Sequence, residues 1–330
     1  MIPIDRYPIG WFQIGFSWEV RAGGVKPLKY FGEDLVAFRT KSGVLSVLEA
    51  HCHHLGAHLG YGGKVKGDCV ACPYHGWEWN GDGENTRIPY QDAPISKKLR
   101  KWPVQEKHGV IFLWHDPEGG PPRANWDLPD LFKDFPGLEE NESDYYPVSP
   151  ETVVNKPNEA FPVQLMIENG ADTMHFHYAH GTPVAPVMES FKVENNRWLA
   201  TMGFRSPVSG EVKLRLHMMA PGVGVSFDVF QGMDETYRLI LSATPIDEKH
   251  THVWVSHWFR KEPGSGDALP ERIIADVKEK EAVFEQDALI WRHQKFVQRP
   301  VFAAQDVECY SLLRKWSEGF YPAEAVGGAT

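Results

Sequence analysis

Residues 51–77 read HCHHLGAHLGYGGKVKGDCVACPYHGW, in which Cys52 stands two positions before His54, Cys72 stands three before His75, and seventeen residues separate the two pairs. Two loops that each supply one thiol and one imidazole have metal-ligand spacing rather than the pattern of a disulfide framework. Gly56, Gly60, Gly62 and Gly76 permit tight turns that bring backbone N–H groups toward whatever the four side chains hold. Zinc bound through Cys69-x-x-Cys72 and nearby histidines is the competing reading, because zinc is the commoner partner of mixed Cys and His sets. Against it, zinc sites seldom combine Cys-x-His with Cys-Pro-x-His and a glycine after each. Cys69 reads instead as a buried strand residue, and His51, His53 and His58 receive no ligand role.

Around these loops the chain runs in short β-rich stretches broken by glycine and proline: residues 11–19, 30–39, 44–48, 70–71 and 110–114. Such runs describe a small antiparallel domain over residues 1–116. Residues 117–157, rich in Pro, Gly, Asn and acidic side chains, read as a connecting segment on the surface. Residues 158–330 form the second domain, with a helix over 161–178, antiparallel strands between Trp198 and Trp258, and a long helix over 270–296. The expected class is α+β: an all-β N-terminal domain followed by a helix-grip domain, a curved antiparallel sheet closed over by helices.

A chain of 330 residues has room for two domains, since single cores stop growing at roughly 250–300 residues. Its 42% hydrophobic and 24% charged residues are those of an ordinary globular protein. A net charge of −10 argues against nucleic acid or an anionic membrane as partner. Asp5, Arg6, Pro8 and Glu19 interrupt the apolar start, so neither a signal peptide nor a membrane span is expected and the cytoplasm is the expected location.

A second constellation lies in QLMIENGADTMHFHYAH, residues 164–180, where Glu168, Asp172, His175 and His180 are spaced E-x3-D-x2-H-x4-H. Two histidines and a carboxylate on one side of a metal leave positions open for dioxygen, which suits non-haem Fe(II). One helical turn separates Asp172 from His175, so the carboxylate is expected to accept the ring's second N–H. A histidine-rich helix end is more often solvated or capping than ligating. A third ligand would come from the helix over 270–296, whose apolar stripe (Ile273, Val277, Phe284, Trp291) brackets Asp287, with Asp276 slightly off the same stripe.

Both constellations resemble those of Rieske non-haem iron oxygenases. The first matches the Rieske [2Fe-2S] pattern, in which one iron takes Cys52 and Cys72 and the other His54 and His75, raising the potential above that of an all-cysteine cluster. Respiratory Rieske proteins carry a disulfide between the loops; the matching positions here are Ala57 and Tyr74, so the resemblance is to the oxygenase type. The second matches the mononuclear iron motif, which selects His175 and His180 over His177, and FEQDALIW (284–291) resembles the segment around the carboxylate ligand, which selects Asp287. Asn169 and Asp172 are the candidate catalytic residues beside them.

From GWFQIG (10–15) through IFLWHDPEGGPP (111–122) to LLRKWSEGFY (312–321) the chain resembles the oxygenase components of 3-ketosteroid 9α-hydroxylases and the cholesterol 7-desaturase group. That resemblance implies O2-dependent hydroxylation of a hydrophobic polycyclic substrate and a separate flavin and iron-sulfur reductase fed by NADH or NADPH. It also implies a head-to-tail homotrimer in which Asp172 bridges His175 to the neighbour's His75. Related oxygenases act on aromatic acids, amines or alkaloids, and charged substrates need a buried counter-charge, for which Arg215 and Arg238 are the candidates in the strand region. A pure electron carrier would have the cluster alone. Residues 181–196 (GTPVAPVMESFKVENN) are shorter than the loop expected over a steroid pocket, and Met218, Phe227, Phe230, Trp254 and Trp258 are the expected pocket residues.

Overall fold

The computed structural model describes residues 1–232, 236–262 and 264–322. They fall into two compact units, Gln13–His115 on the one hand and Met1–Phe12 with the chain from Asp116 onward on the other.

Three small sheets make the Gln13–His115 unit. Its strands are β1 (Gly10–Phe16), β2 (Val25–Tyr30), β3 (Glu33–Arg39), β4 (Leu45–Glu49), β5 (Lys64–Lys66), β6 (Cys69–Ala71), β7 (Glu78–Asn80), β8 (Asn85–Arg87), β9 (Lys101–Trp102), β10 (Val104–Lys107) and β11 (Val110–His115). The sheet orders are β1-β11-β10, β2-β3-β4-β9 and β5-β6-β7-β8. The expected strand over 30–39 is in fact the end of one strand and the whole of the next. Phe31 and Gly32 both take positive φ (56° and 71°), the two-residue turn whose twist suits a hairpin, and Tyr30 pairs with Glu33 across it. Val36, Leu48, Val70 and Trp79 are fully buried and pack around the two cysteine loops. At roughly 1.5–3 kcal/mol for each large apolar side chain, this small core fixes the loops from below.

The other unit is built on a seven-stranded antiparallel sheet: β12 (Val153–Glu159), β13 (Val187–Glu194), β14 (Arg197–Arg205), β15 (Val212–Gly222), β16 (Val225–Gly232), β17 (Thr236–Pro245) and β18 (Thr251–Phe259). Their order is β12-β18-β17-β16-β15-β14-β13, a meander with β12 added at one edge. Among the described residues four α-helices complete the unit: α1 (Val163–Glu168), α2 (His175–Tyr178), α3 (Glu271–Trp291) and α4 (Val307–Glu318). Helix α3 buries Ile273, Val277, Phe284, Ala288 and Trp291, one stripe at helical spacing.

Three expectations change here. Residues 117–157 are not a separate connector: they belong to the second unit, and β12, which pairs with β18, runs through the expected boundary at 157. Their side chains form a layer against the sheet face away from α3, where fully buried Arg238 donates to the carbonyls of Leu131 (2.5 Å) and Leu138 and to Glu140 (3.1 Å). The expected loop over 181–196 is a loop only in its first part; its second half is edge strand β13. The expected helix over 161–178 is broken, because Asn169 and Gly170 are poor helix formers and Asp172 is extended (φ −99°, ψ 114°). Asp172 Oδ1 accepts the backbone N–H groups of Met174 (2.9 Å) and His175 (3.1 Å), which restarts the helix as α2. No helix among the described residues is long and apolar enough to cross a membrane.

Candidate metal centres and substrate cavity

The two cysteine loops are copies of one backbone design. In the first, the Cys52 N–H donates to Ala57 O (2.9 Å) and Cys52 O accepts from Gly56 N–H (2.9 Å). In the second, the Cys72 N–H donates to Trp77 O (2.8 Å) and Cys72 O accepts from Gly76 N–H (3.0 Å). Gly56 and Gly76 hold the matching positive φ (75° and 72°), a conformation that costs glycine nothing. Only the histidine differs in place, two residues after the first cysteine and three after the second.

The thiols of Cys52 and Cys72 are buried and unbridged, and the rings of His54 and His75 stand 4.6 Å apart. Nδ1 of each ring is buried with no hydrogen-bond partner among the described residues. An orphaned buried nitrogen costs about 1–3 kcal/mol, so two such nitrogens on loops that also carry two buried free thiols fit what a two-sulfur, two-nitrogen cluster site requires of the protein. The remaining histidines have other partners: His51 meets Gly56 O (3.0 Å) and Asp34 (3.3 Å), His53 meets Glu49, and His58 Nδ1 accepts from Gly60 N–H (3.0 Å). Cys69, on strand β6 as expected though half-buried, lies 3.3 Å from Thr86 Oγ1.

In the second unit the ligand atoms offered by His175, His180 and Asp287 all lie within 4.8 Å of one another. His180 Nε2 is 3.2 Å from Asp287 Oδ1, and its Nδ1 donates to Gln286 Oε1 (2.8 Å), which fixes the tautomer that turns Nε2 toward the carboxylate. Asn169 Nδ2 donates to the other Asp287 oxygen (3.3 Å), so Asn169 orients a carboxylate. Two imidazoles and a carboxylate gathered at the end of a cavity fit a non-haem Fe(II) site. Asp172 sits 3.8 Å from His175 Nδ1, too far for the direct hydrogen bond the sequence suggested, because its Oδ1 is engaged by the α2 backbone. Burial works to raise the Asp172 carboxyl, yet His175 and the Tyr310 hydroxyl outweigh it and hold it below its ordinary value. His177 meets Thr182 O (2.6 Å), and Asp276 pairs with Lys280 (3.0 Å), away from the triad.

A cavity of about 340 Å³ runs from the triad between the helices and the sheet, within the usual range for small-molecule sites. Met218 and Phe230 line it, as expected. Phe227, Trp254 and Trp258 do not: strand side chains alternate, and on β16 and β18 the cavity face is Ser226, Asp228, Phe230, Val255 and His257. The three aromatics are buried off that cavity. Neither arginine enters it, since Arg238 faces the opposite layer and exposed Arg215 pairs with Glu189 (2.8 Å).

Three polar side chains on the cavity face were not singled out from sequence. Met218, Asp228, Leu239 and His257 form one cross-strand row, with Ser226 next along β16 donating to Asp228 Oδ1 (2.6 Å). Burial pushes the Asp228 carboxyl up to about 7, against the hydrogen bond from Ser226. It pushes His257 down to about 4, and the neutral ring meets Thr152 O (3.2 Å) through Nδ1. Strict alternation from Phe230 would have found Asp228 and Ser226; no short pattern marks Gln286 or Tyr310.

Residues 10–103 match the Rieske [2Fe-2S] domain family, and residues 113–321 match the 3-ketosteroid 9α-hydroxylase C-terminal domain family. The oxygenase component of a 3-ketosteroid-9-alpha-monooxygenase from Rhodococcus rhodochrous is 30% identical, covering 96% of this chain and 84% of that one. A cholesterol 7-desaturase from Drosophila melanogaster is 32% identical, covering 97% and 76%. Among solved structures, dicamba monooxygenase bound to dicamba superposes with a TM-score of 0.71 at 19% identity, covering 97% of this chain and 98% of that one. The oxygenase in a carbazole 1,9a-dioxygenase–ferredoxin complex does so with 0.66 at 18%, covering 99% and 94%. At such identity the structural likeness is one of fold.

Proposed function

Since this chain belongs to the Rieske oxygenases, in the family that shares the 3-ketosteroid 9α-hydroxylase C-terminal domain, we propose that it is the oxygenase component of a multicomponent monooxygenase acting on a neutral polycyclic substrate, a 3-ketosteroid. The observation that carries the substrate class is the cavity: Met202, Leu216, Met218, Phe230, Leu239 and Phe284 wall it, and no arginine among the described residues lines it. An aromatic acid would need a buried counter-charge. The single lining lysine, Lys280, is held by Asp276 and lies 4.3 Å over the Tyr237 ring.

On this reading Cys52, His54, Cys72 and His75 hold a [2Fe-2S] cluster, and His175, His180 and Asp287 hold iron. When bound, the cluster supplies electrons singly and the iron supplies O2-dependent oxidation of a C–H bond. The chain's own work is positional: Gln286 and Asn169 aim two of the ligands, and the apolar walls exclude water from the reacting carbon. Asp172, with Tyr310 behind it, would link His175 to the neighbour's His75 in a head-to-tail homotrimer. Electrons would come from NADH or NADPH through a separate flavin and iron-sulfur reductase; the relatives' designation as an oxygenase component supports such a partner. The reducing cytoplasm suits the ligand thiols.

The test is substrate-dependent NADH consumption by the iron-loaded protein with a broad-specificity reductase, 3-ketosteroids against aromatic acids, with mass spectrometry of products. A product one oxygen heavier than the ketosteroid supports the reading; loss of two hydrogens assigns desaturation, as the insect relative's name would suggest; turnover of the acids alone overturns the substrate class. Asp172→Ala should keep both metals and lower turnover by about a hundredfold or more, and wild-type turnover in that variant would remove the bridging role.

A further inference from the structure

Asp228 is an ionisable side chain with 6% exposure on the wall of a largely apolar cavity, and no cation among the described residues is bonded to it. Among the described residues its one hydrogen bond comes from Ser226 and occupies Oδ1. Met218 and Leu239 flank it on the neighbouring strands. A buried carboxyl with a single partner is costly to keep unless a second partner arrives with the ligand. We propose that Asp228, steadied by Ser226, is the hydrogen-bonding anchor for an uncharged oxygen substituent, a ketone or an alcohol, on the substrate's apolar skeleton.

The proposal rests on the neutral polycyclic reading above and adds to it a polar handle, with a named residue to grip it. A carboxyl held up near neutrality by burial can donate to a ketone when protonated and accept from an alcohol when ionised, so both oxygen functions suit it. A carboxylate ligand would place like charge beside Asp228. An ammonium ligand would share the cavity with Lys280. Because Asp228 is on the sheet and the three iron ligands lie on or just beyond helices, the anchor would fix which carbon of the skeleton faces the triad without touching the metal.

The experiment compares 4-androstene-3,17-dione with the two ketones that each lack one of its oxygens, 4-androsten-3-one and 4-androsten-17-one. Dissociation constants, kcat and KM are measured on the iron- and cluster-loaded wild type and on Asp228→Leu and Asp228→Asn, with the cluster's visible spectrum as the check on folding. The wild type should bind one of the two mono-ketones at least about tenfold more weakly than the dione. Asp228→Leu should bind those two compounds alike, with the change in KM rather than kcat, and Asp228→Asn should keep most of the discrimination. Wild-type discrimination in Asp228→Leu with an intact cluster spectrum overturns the anchor while leaving the steroid reading in place. Failure of the wild type to bind any of the three overturns both. Tighter binding of a 17-amino steroid than of the dione would assign Asp228 to a cation and overturn the anchor as stated.

Discussion

The loops proposed to hold the cluster take all four donors from residues 52–75, and their own backbone hydrogen bonds shape them: each cysteine is closed by the same pair of bonds and the same left-handed glycine. The triad proposed to hold iron takes two histidines from a broken helix and its carboxylate from α3, with Asn169 meeting Asp287 across 118 residues of chain. One site is local and can form wherever its loops are supported. The other exists only once the helices have packed on the sheet. Independence of the two centres is the expectation that follows, and it can be attacked from either side.

The largest effect should come from ligand removal. His75→Ala should strip the cluster, lowering iron from about three atoms per chain to about one and abolishing the cluster's visible absorption, with loss of stability because cluster binding is coupled to folding. Asp287→Ala should do the reverse, leaving about two iron atoms and an unchanged cluster spectrum. Bleaching of the cluster in Asp287→Ala would break the comparison.

A smaller effect sharpens it. Gln286→Leu removes the partner of His180 Nδ1 while sparing every ligand, and should weaken iron binding by about 10–100-fold in chelator competition, with no change at the cluster. Unchanged iron affinity would mean that packing alone orients His180. Smaller again in functional terms, Arg238→Met leaves the Leu131 and Leu138 carbonyls without their buried donor and should destabilise the second unit by about 3 kcal/mol in denaturant unfolding. Glu140 would retain Arg260 at 2.7 Å, so the loss comes from the two carbonyls rather than from an unpaired carboxylate.

The same contrast explains what could be read from residues alone. Cys-x-His and Cys-Pro-x-His at fixed spacing are a local signal, and the loops they imply are the loops observed. His175 and His180 were legible as a motif, but the helix carrying them was read as continuous; the Asn169-Gly170 pair and the capping role of Asp172 break it. Asp287 is reached through resemblance, since its place on the apolar stripe of the helix separates it only narrowly from Asp276, which lies slightly off that stripe. The cavity was the least legible part. Phe227, Trp254 and Trp258 lie on strands that do line the cavity, but the pleat decides facing, and that register requires knowing which residue of each strand meets the helices. Strand β12 was hidden by its polar text, VVNKPNE, and the attachment of residues 1–12 to the second unit is a non-local contact with no local mark.

On its sheet side the cavity is walled by rows of side chains that run across β15–β18, while the proposed iron ligands lie on or just beyond helices. The sheet side of the pocket and the proposed metal ligands are thus written on different scaffolding. A lineage can drift from one skeleton to another by single substitutions along a row, each heritable and tolerable alone, while the oxidising apparatus passes unaltered from ancestor to descendant.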